Sequence, residues 1–489
     1  MAIALDERTE SVGRAGFRPL VLVSFAMLIV SMNQYIVVVA LPDIGRGLGY
    51  STHNLQAVIS AYAIAYGGFL LLGGRAADLL GRRRLLTAGL ALFALASFAA
   101  GIATTPAVQL SARVAQGIGD ALVFPATLAL INTTYHEGRA RNRALSIWGA
   151  SGAAGLVVGV LLGGVLTRGF GWSSVFFINV PLATGAIAMA FIVIPKDLPL
   201  DRTRSFDLAG ALAATASVTL IVWSLIQGPE IGWTSPQVVG PAFMGIVLAW
   251  TFTRIELRAR DPLVPHVLLR NRFVRLAITM AFMFMATFGS LLYFMSIYLQ
   301  NVLGYDALET GLGFVVLTVF VVLASALAGW VSTRIGLKAV CLGALSIGLL
   351  GVLTLALTMT ADASYPDLVP GLILTGVGDG AMFTAMFIAA ATGVAPTRQG
   401  ATSAIVSTGA AVGAAVGLAF LVLLANRGHS GLTGEALRVA TADGVRSAAL
   451  AIAFGIAATL VYVIVRYPQR DTAEAQPANK PVHTTGERL

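Results

Sequence analysis

Fourteen apolar runs, each roughly 17 to 26 residues, follow one another between residues 20 and 464 with short polar breaks. A run of that length crosses about 30 Å of hydrocarbon as a helix. Inside hydrocarbon every backbone N–H and C=O has to be satisfied within the segment or within a closed barrel. Apolar runs of this length, recurring along nearly the whole chain, are read as membrane-crossing helices. The expected fold is an all-α polytopic membrane protein with spans near 20–41, 55–74, 85–104, 107–132, 145–167, 175–194, 208–227, 237–253, 276–300, 311–331, 339–359, 368–393, 401–425 and 447–464. The first run follows a charged start, but it is longer than a signal-peptide core and another span follows it, so it is read as retained. Only 11% of the 489 residues are charged, against about a quarter in soluble domains.

The formal net charge of +9 raises the question of nucleic acid. The positions of the basic residues answer it, because Lys and Arg accumulate in cytoplasmic loops. With the N-terminus inside, inside segments hold 26 of the 32 Lys and Arg, outside segments hold five, and Arg113 alone lies within a span. Both termini are therefore expected in the cytoplasm, and the basic excess reports topology. The one cysteine, Cys341, falls in a span and forms neither an internal disulfide nor a cysteine metal cluster. The longest interior loops are about twenty residues, too short for a folded soluble domain. No G-x-x-x-x-G-K-[ST], H-E-x-x-H or G-x-S-x-G occurs. No nucleotide, cofactor or metal is expected, the chain is not read as an enzyme, and the energy source is expected to be an ion or substrate gradient.

One stretch carries polar chemistry into the greasy interior. In the fourth run Arg113, Gln116 and Asp120 stand at i, i+3 and i+7, on one helix face over about 10 Å of axis. Gly117, Gly119, Asp120, Phe124 and Ala126 recur as Gly376, Gly378, Asp379, Phe383 and Ala385, each 259 residues downstream in the twelfth run. Two acids in equivalent places point to a duplicated machine. An acid at membrane depth is expensive and is by default functional. The alternative is a structural Asp120 neutralised by Arg113, although a seven-residue spacing needs Gln116, a water or another helix to bridge it. Asp379 has Leu372 where Asp120 has Arg113, with Thr375 on its stripe. Asn33 and Gln34 in the first run are either interhelical glue or substrate contacts.

Between the second and third runs stands Gly74-Arg-Ala-Ala-Asp78-Leu-Leu-Gly81-Arg82-Arg83-Arg84, and a degenerate copy, Gly329…Thr333…Gly336…Lys338, follows the tenth. Here the chain resembles the major facilitator superfamily, whose loop in that place reads G-x-L-A-D-R-x-G-R-R. Ala76 and Leu79 depart from the pattern. Arg113-Val-Ala-Gln116-Gly117 is similar to its R-x-x-Q-G motif. Gly155, Gly159, Gly163 and Gly164 resemble the exporters' glycine motif, with Val160 where that motif has proline. The stretches Trp172–Pro181, Gly232–Pro236, Asp261–Pro265 and Gln300–Tyr305 look like the fourteen-span drug:proton antiporter branch.

The resemblance implies a major facilitator fold: a lead 1–17, an N-terminal six-helix half 18–195, two inserted helices 196–253, a basic linker 254–275, a C-terminal six-helix half 276–466 and a disordered tail 467–489. The linker interleaves six arginines with apolar residues and is read as an interfacial amphipathic segment. The chain is expected in a bacterial cytoplasmic membrane as a proton-coupled exporter of small lipophilic or cationic compounds. The same-class alternative is a transporter of one metabolite, natural product or lipid, and the other-class alternative is a membrane sensor or scaffold. Expected roles are proton coupling for Asp120, Arg113 and Gln116, and substrate contact for Asp379, Asn33, Gln34, Tyr35, Phe124 and Phe288. Gating falls to Gly74, Asp78, Gly81, Arg82 and Arg83, and helix packing to the four glycines of the fifth run.

Overall fold

A computed structural model describes residues 2–50, 55, 57–197, 207–259, 264, 266–426 and 432–468. Fourteen helices among the described residues are long and apolar enough to cross a membrane. In chain order they are α1 Ala2–Leu48, α2 Ala57–Leu80, α3 Arg82–Gly101, α4 Pro106–Thr134, α5 Arg139–Phe170, α6 Ser174–Val193 and α7 Leu208–Ile231. They continue with α8 Pro236–Glu256, α9 Arg272–Val302, α10 Ala307–Ile335, α11 Leu337–Thr358, α12 Tyr365–Ala391, α13 Pro396–Ala425 and α14 Gly434–Arg466.

Several helices overrun the apolar runs that announced them. The fifth begins at Arg139 and the fourteenth at Gly434. The ninth begins at Arg272, taking the last residues of the expected linker. Apolar length marks what sits in hydrocarbon, whereas a helix's own hydrogen bonds carry it on through the headgroup layer. The lead continues α1 as helix from Ala2, with no proline before Pro19 to stop it. The tail beyond Pro468, and Asp261–Pro265 apart from Val264, lie outside the described residues.

Local chemistry sets the helix starts. Thr105 accepts from Val108 N and is followed by Pro106 at the first turn of α4. Asp306 and Glu309 form a capping box on α10, as Ser364 and Asp367 do on α12. Gly81 and Gly336, at corresponding turns, take φ of 102° and 88°, which a side chain opposes.

The packing is duplicated. In the N-terminal half α1 packs on α5, α2 and α3 on α4, and α3 on α6; in the C-terminal half α9 packs on α13, α10 and α11 on α12, and α11 on α14. The halves meet along two equivalent seams, α5 with α10 and α2 with α13. The inserted pair α7–α8 lies against α2 and α13, with Thr219 and Thr215 filling the space at Gly68. Its outer member, α8, exposes Phe243, Ile246 and Trp250, as a lipid-facing helix does.

Glycines bring backbones together inside each half. A Cβ on Gly159 would lie 2.7 Å from Met32 O, and one on Gly163 would lie 2.9 Å from Ile36 O, so α5 rides on the α1 backbone. Gly155 belongs to the same ridge. Gly164 does not: it faces Leu308 of α10, one helical step off the ridge. Gly413 and Gly417 repeat the device against Phe282 and Ala286 of α9.

Candidate functional site

At the end of the bundle that carries Arg82–Arg84, Arg139 and Arg334, the two halves are latched. Asp78, in the last turn of α2, accepts from Gly400 N at 3.0 Å and Ala401 N at 2.8 Å, where α13 begins. A carboxylate there satisfies orphan N–H groups and meets the positive end of the helix dipole. Arg82 donates to Pro396 O at 2.8 Å. Gly74 admits Ala404 and Gly400 of α13 at a distance no side chain would allow. The second seam mirrors the first, since Gly329 lies against Asn142 O and its N–H donates to Ser146 Oγ at 2.7 Å. Arg141 adds a bond to Ala391 O at 3.0 Å. Two expected gate residues act elsewhere. Arg83 stacks on Phe191, and its N–H donates to Asp197 beyond α6, which also crowds Gly81, so both tie the α3 start to its own half. Adjacent arginines on one turn point to different partners.

The latch predicts a measurable gate. Asp78→Asn keeps the shape and removes the charge, a loss of about 1–2 kcal/mol from the latched state. Spin labels spanning the α2 and α13 ends should report a shift of about tenfold towards separation, with slower turnover. Unchanged distances and rates would leave Asp78 without a gating role.

At mid-height a polar cluster surrounds Asp120 in the N-terminal half. Arg113 Nε donates to Val58 O at 2.9 Å and its Nη1 to Gln116 Oε1 at 2.8 Å, while Gln116 Nε2 donates to Ser97 Oγ at 2.7 Å. Arg113 and Asp120 do not meet directly. Tyr62 of α2 stands between them, its ring 4.5 Å from the guanidinium carbon and its hydroxyl donating to Asp120 Oδ2 at 2.8 Å. Asn33 lies beside the carboxyl and is held through Oδ1 by Asn179 Nδ2 at 3.2 Å. All of these groups are buried, and Asp120 Oδ1 and Asn33 Nδ2 make no well-formed hydrogen bond. Gly117 lets α4 approach the backbone at Tyr62 and Tyr66, which is what brings the phenol to the acid.

Between the halves lies a cavity of about 260 Å³. Gln34 and Tyr35 of α1, Tyr66 of α2, Phe124 of α4, Phe288 of α9 and Asp379 of α12 are in its wall. Among the described residues no Lys, Arg or His lines it. Among the described residues Asp379 has neither an ion-pair nor a hydrogen-bond partner. Two further wall hydroxyls, Thr318 and Ser407, are buried without a partner. Towards the latched end aromatics close it: Trp148 packs edge-on to Phe124 and Phe387, each at 5.2 Å, and lies parallel to Phe383 at 6.0 Å. A π-helical turn, Met285–Gly289, turns Phe288 and Met285 into the wall.

Asn33 is thus placed differently from its expected role. It is one residue from Gln34, about 100° around α1, so it reaches Asp120 and Asn179 while Gln34 reaches the cavity. Tyr62, Ser97, Trp148 and Ser146 join the site without having been expected there. Tyr62 and Tyr66 at i, i+4 in an apolar run were a usable signal, and the rings do stack at 6.1 Å with 2° between planes.

A family model described as Major Facilitator Superfamily matches residues 23–418, and again residues 277–485. The chain belongs to the Major Facilitator Superfamily. It is a multi-span membrane transporter of bacterial type, not an enzyme. Puromycin resistance protein pur8 of Streptomyces alboniger is 34% identical over 92% of this chain and 90% of its own length. Cephamycin export protein CmcT of Amycolatopsis lactamdurans is 34% identical over 85% of this chain and 86% of its own. The crystal structure of the human organic anion transporter MFSD10 superposes with a TM-score of 0.66 at 15% identity, covering 92% of this chain and 99% of that one. The superfamily fold accounts for the doubled packing and its two seams. The second match, residues 277–485, begins within α9.

Proposed function

We propose that this transporter exports small lipophilic or cationic compounds from the bacterial cytoplasm in exchange for protons, by alternating access of its two halves. The observation that carries this reading is Asp379, which among the described residues is an acid without a partner in an aromatic cavity with no basic residue in its wall. Such a group is stable at membrane depth when a proton or a cation neutralises it, so the two compete for one site. Phe124, Phe288 and Tyr35 supply apolar and aromatic surface for a flat ligand, and Gln34 a polar contact. Asp120, with Arg113 and Gln116, is assigned the coupling proton. The basic end faces the cytoplasm with both termini. The latch then seals the cytoplasmic side.

The cavity falls just below the range of about 300–1,000 Å³ usual for drug-sized ligands. Admitting one requires the halves to part, which is what alternating access provides. One proton moving down a pH difference worth 100 mV supplies about 2.3 kcal/mol, enough for a tenfold concentration step of about 1.4 kcal/mol even for a cation whose exchange for a proton is electroneutral. No nucleotide, nucleic acid or cofactor enters this scheme. The relatives' names, a resistance protein and an export protein, support efflux. Each is named for a single compound, which favours a second reading: export of one natural product.

In acid-loaded vesicles carrying the purified protein, antiport predicts that ethidium enters while the lumen turns alkaline; an opposite dependence on the gradient means symport, and no dependence removes proton coupling. Asp379→Asn should weaken ethidium binding about ten- to a hundredfold, the worth of a charged contact of about 1.5–3 kcal/mol. Fluorescence titration reads this, and unchanged affinity would take Asp379 out of the substrate site.

A further inference from the structure

The two acids are alike in chemistry and differ in access. Asp379 lies in the cavity wall, whereas Asp120 is wholly buried and outside it. A proton on Asp120 can respond to substrate only through a group that reaches both places. Among the described residues one hydrogen-bonded connection does so. Gln34, in the wall, donates from Nε2 to Tyr62 Oη at 3.5 Å, and Tyr62 donates to Asp120 Oδ2 at 2.8 Å. The Tyr62 ring is clamped between Arg113 at 4.5 Å and the parallel ring of Tyr66 at 6.1 Å, so its hydroxyl has little freedom except rotation. A phenol has one proton to give, and Gln34 donating to its oxygen directs that proton to Asp120. Tyr66 of α2 also lies within electrostatic reach of Asp120 and lines the cavity, but among the described residues no hydrogen bond joins it to the carboxyl. The remaining groups around Asp120 are Asn33 from α1, held by Asn179 of α6, and Arg113 and Gln116 from α4, the latter bonded to Ser97 of α3. None of these lines the cavity.

We propose that Tyr62, governed by Gln34, is the positioning residue through which substrate in the cavity controls the proton on Asp120. This rests on the reading of Asp120 as the coupling acid. With Gln34 in place the Tyr62 oxygen is shielded from the cavity. Substrate that takes up the Gln34 amide opens it to cavity water. In loading, a hydronium gives a proton to Tyr62 Oη as the Tyr62 O–H bond breaks towards Asp120 Oδ2. One O–H bond forms and one breaks at the phenol, leaving water, a neutral tyrosine and a neutral carboxyl. Unloading is the same transfer reversed, and both directions wait on Gln34.

The test measures protons released per ethidium bound, at saturation, in the purified full-length transporter. Counting per bound ligand removes any change in affinity. Asp120→Asn sets the level that Asp379 alone releases. Tyr62→Phe keeps the ring between Arg113 and Tyr66 and loses only the hydroxyl; its release is expected to fall to the Asp120→Asn level. Gln34→Met, which leaves Tyr62 intact, is expected to fall to the same level and decides the matter if Tyr62→Phe does not fold. Wild-type release from either folded variant, with Asp120→Asn lowered, overturns the coupling role of Tyr62 and leaves Asp120 as the acid. Wild-type release from Asp120→Asn removes the assignment of Asp120 itself, and this proposal with it.

Discussion

Asp120→Asn is expected to cut gradient-driven accumulation to the level that proton exchange at Asp379 alone supports, while leaving the protein folded. Each proton exchanged down a gradient worth 100 mV supports about fiftyfold accumulation, so a variant that loses the Asp120 proton loses about that factor from the attainable ratio. The structure separates this loss from unfolding. Arg113 does not depend on Asp120 for its bonds, because Val58 O, Gln116 and the Tyr62 ring hold it. Removing the carboxylate charge takes away the anion nearest Arg113 but leaves all its hydrogen bonds, which limits the cost of a buried charge losing its partner. An asparagine oxygen still accepts from Tyr62, so the fold should lose only about 1–2 kcal/mol. The measurement pairs vesicle accumulation with thermal unfolding. Normal accumulation would clear Asp120 of proton coupling. A collapse of stability would move the whole cluster to a structural role.

The second large effect comes from the seams. Gly74→Val and Gly329→Val each place methyl groups against the partner helix, where the first obstacle includes backbone: Gly400 O in one seam and Asn142 O in the other. Neither can give way as a side-chain tip would. Overpacking of this kind costs about 1–3 kcal/mol per site, and two distant sites should nearly add. The double variant should lose the latched state as its main population and transport at a small fraction of the wild-type rate. Gly343→Ala, where a Cβ meets nothing within 4 Å, is the control expected to behave as wild type. Spin-label distances across both seams check the populations. Unchanged distances in the double variant would mean that the two seams do not close as a pair.

Much of the architecture was legible because the bilayer imposes a one-dimensional rule. A helix that must cross hydrocarbon writes its length into the sequence as an apolar run, and all fourteen helices were marked that way. The repeat at Asp120 and Asp379 likewise announced the doubling before any packing was known. Helix ends were less legible. The overrun of α5 and α14 lies outside the apolar runs, where polar residues are compatible with helix and loop alike.

The site divided along the same line. Which residues are costly in a membrane is a property of the residue type, so Arg113, Gln116, Asp120, Asp379, Asn33 and Gln34 stood out by themselves. Which of them share a space is a property of helix rotation and close approach. A turn of about 100° sends Asn33 to Asp120 and Gln34 to the cavity. Gly117 lets α2 come near enough for Tyr62 to stand between Arg113 and Asp120, a partner 51 positions away from one and 58 from the other. The sequence by itself determined the membrane, the count of helices, the duplication and the set of polar residues inside. Only the tertiary structure decided that the two acids occupy different environments, because burial and partnership depend on what neighbouring helices bring to a residue.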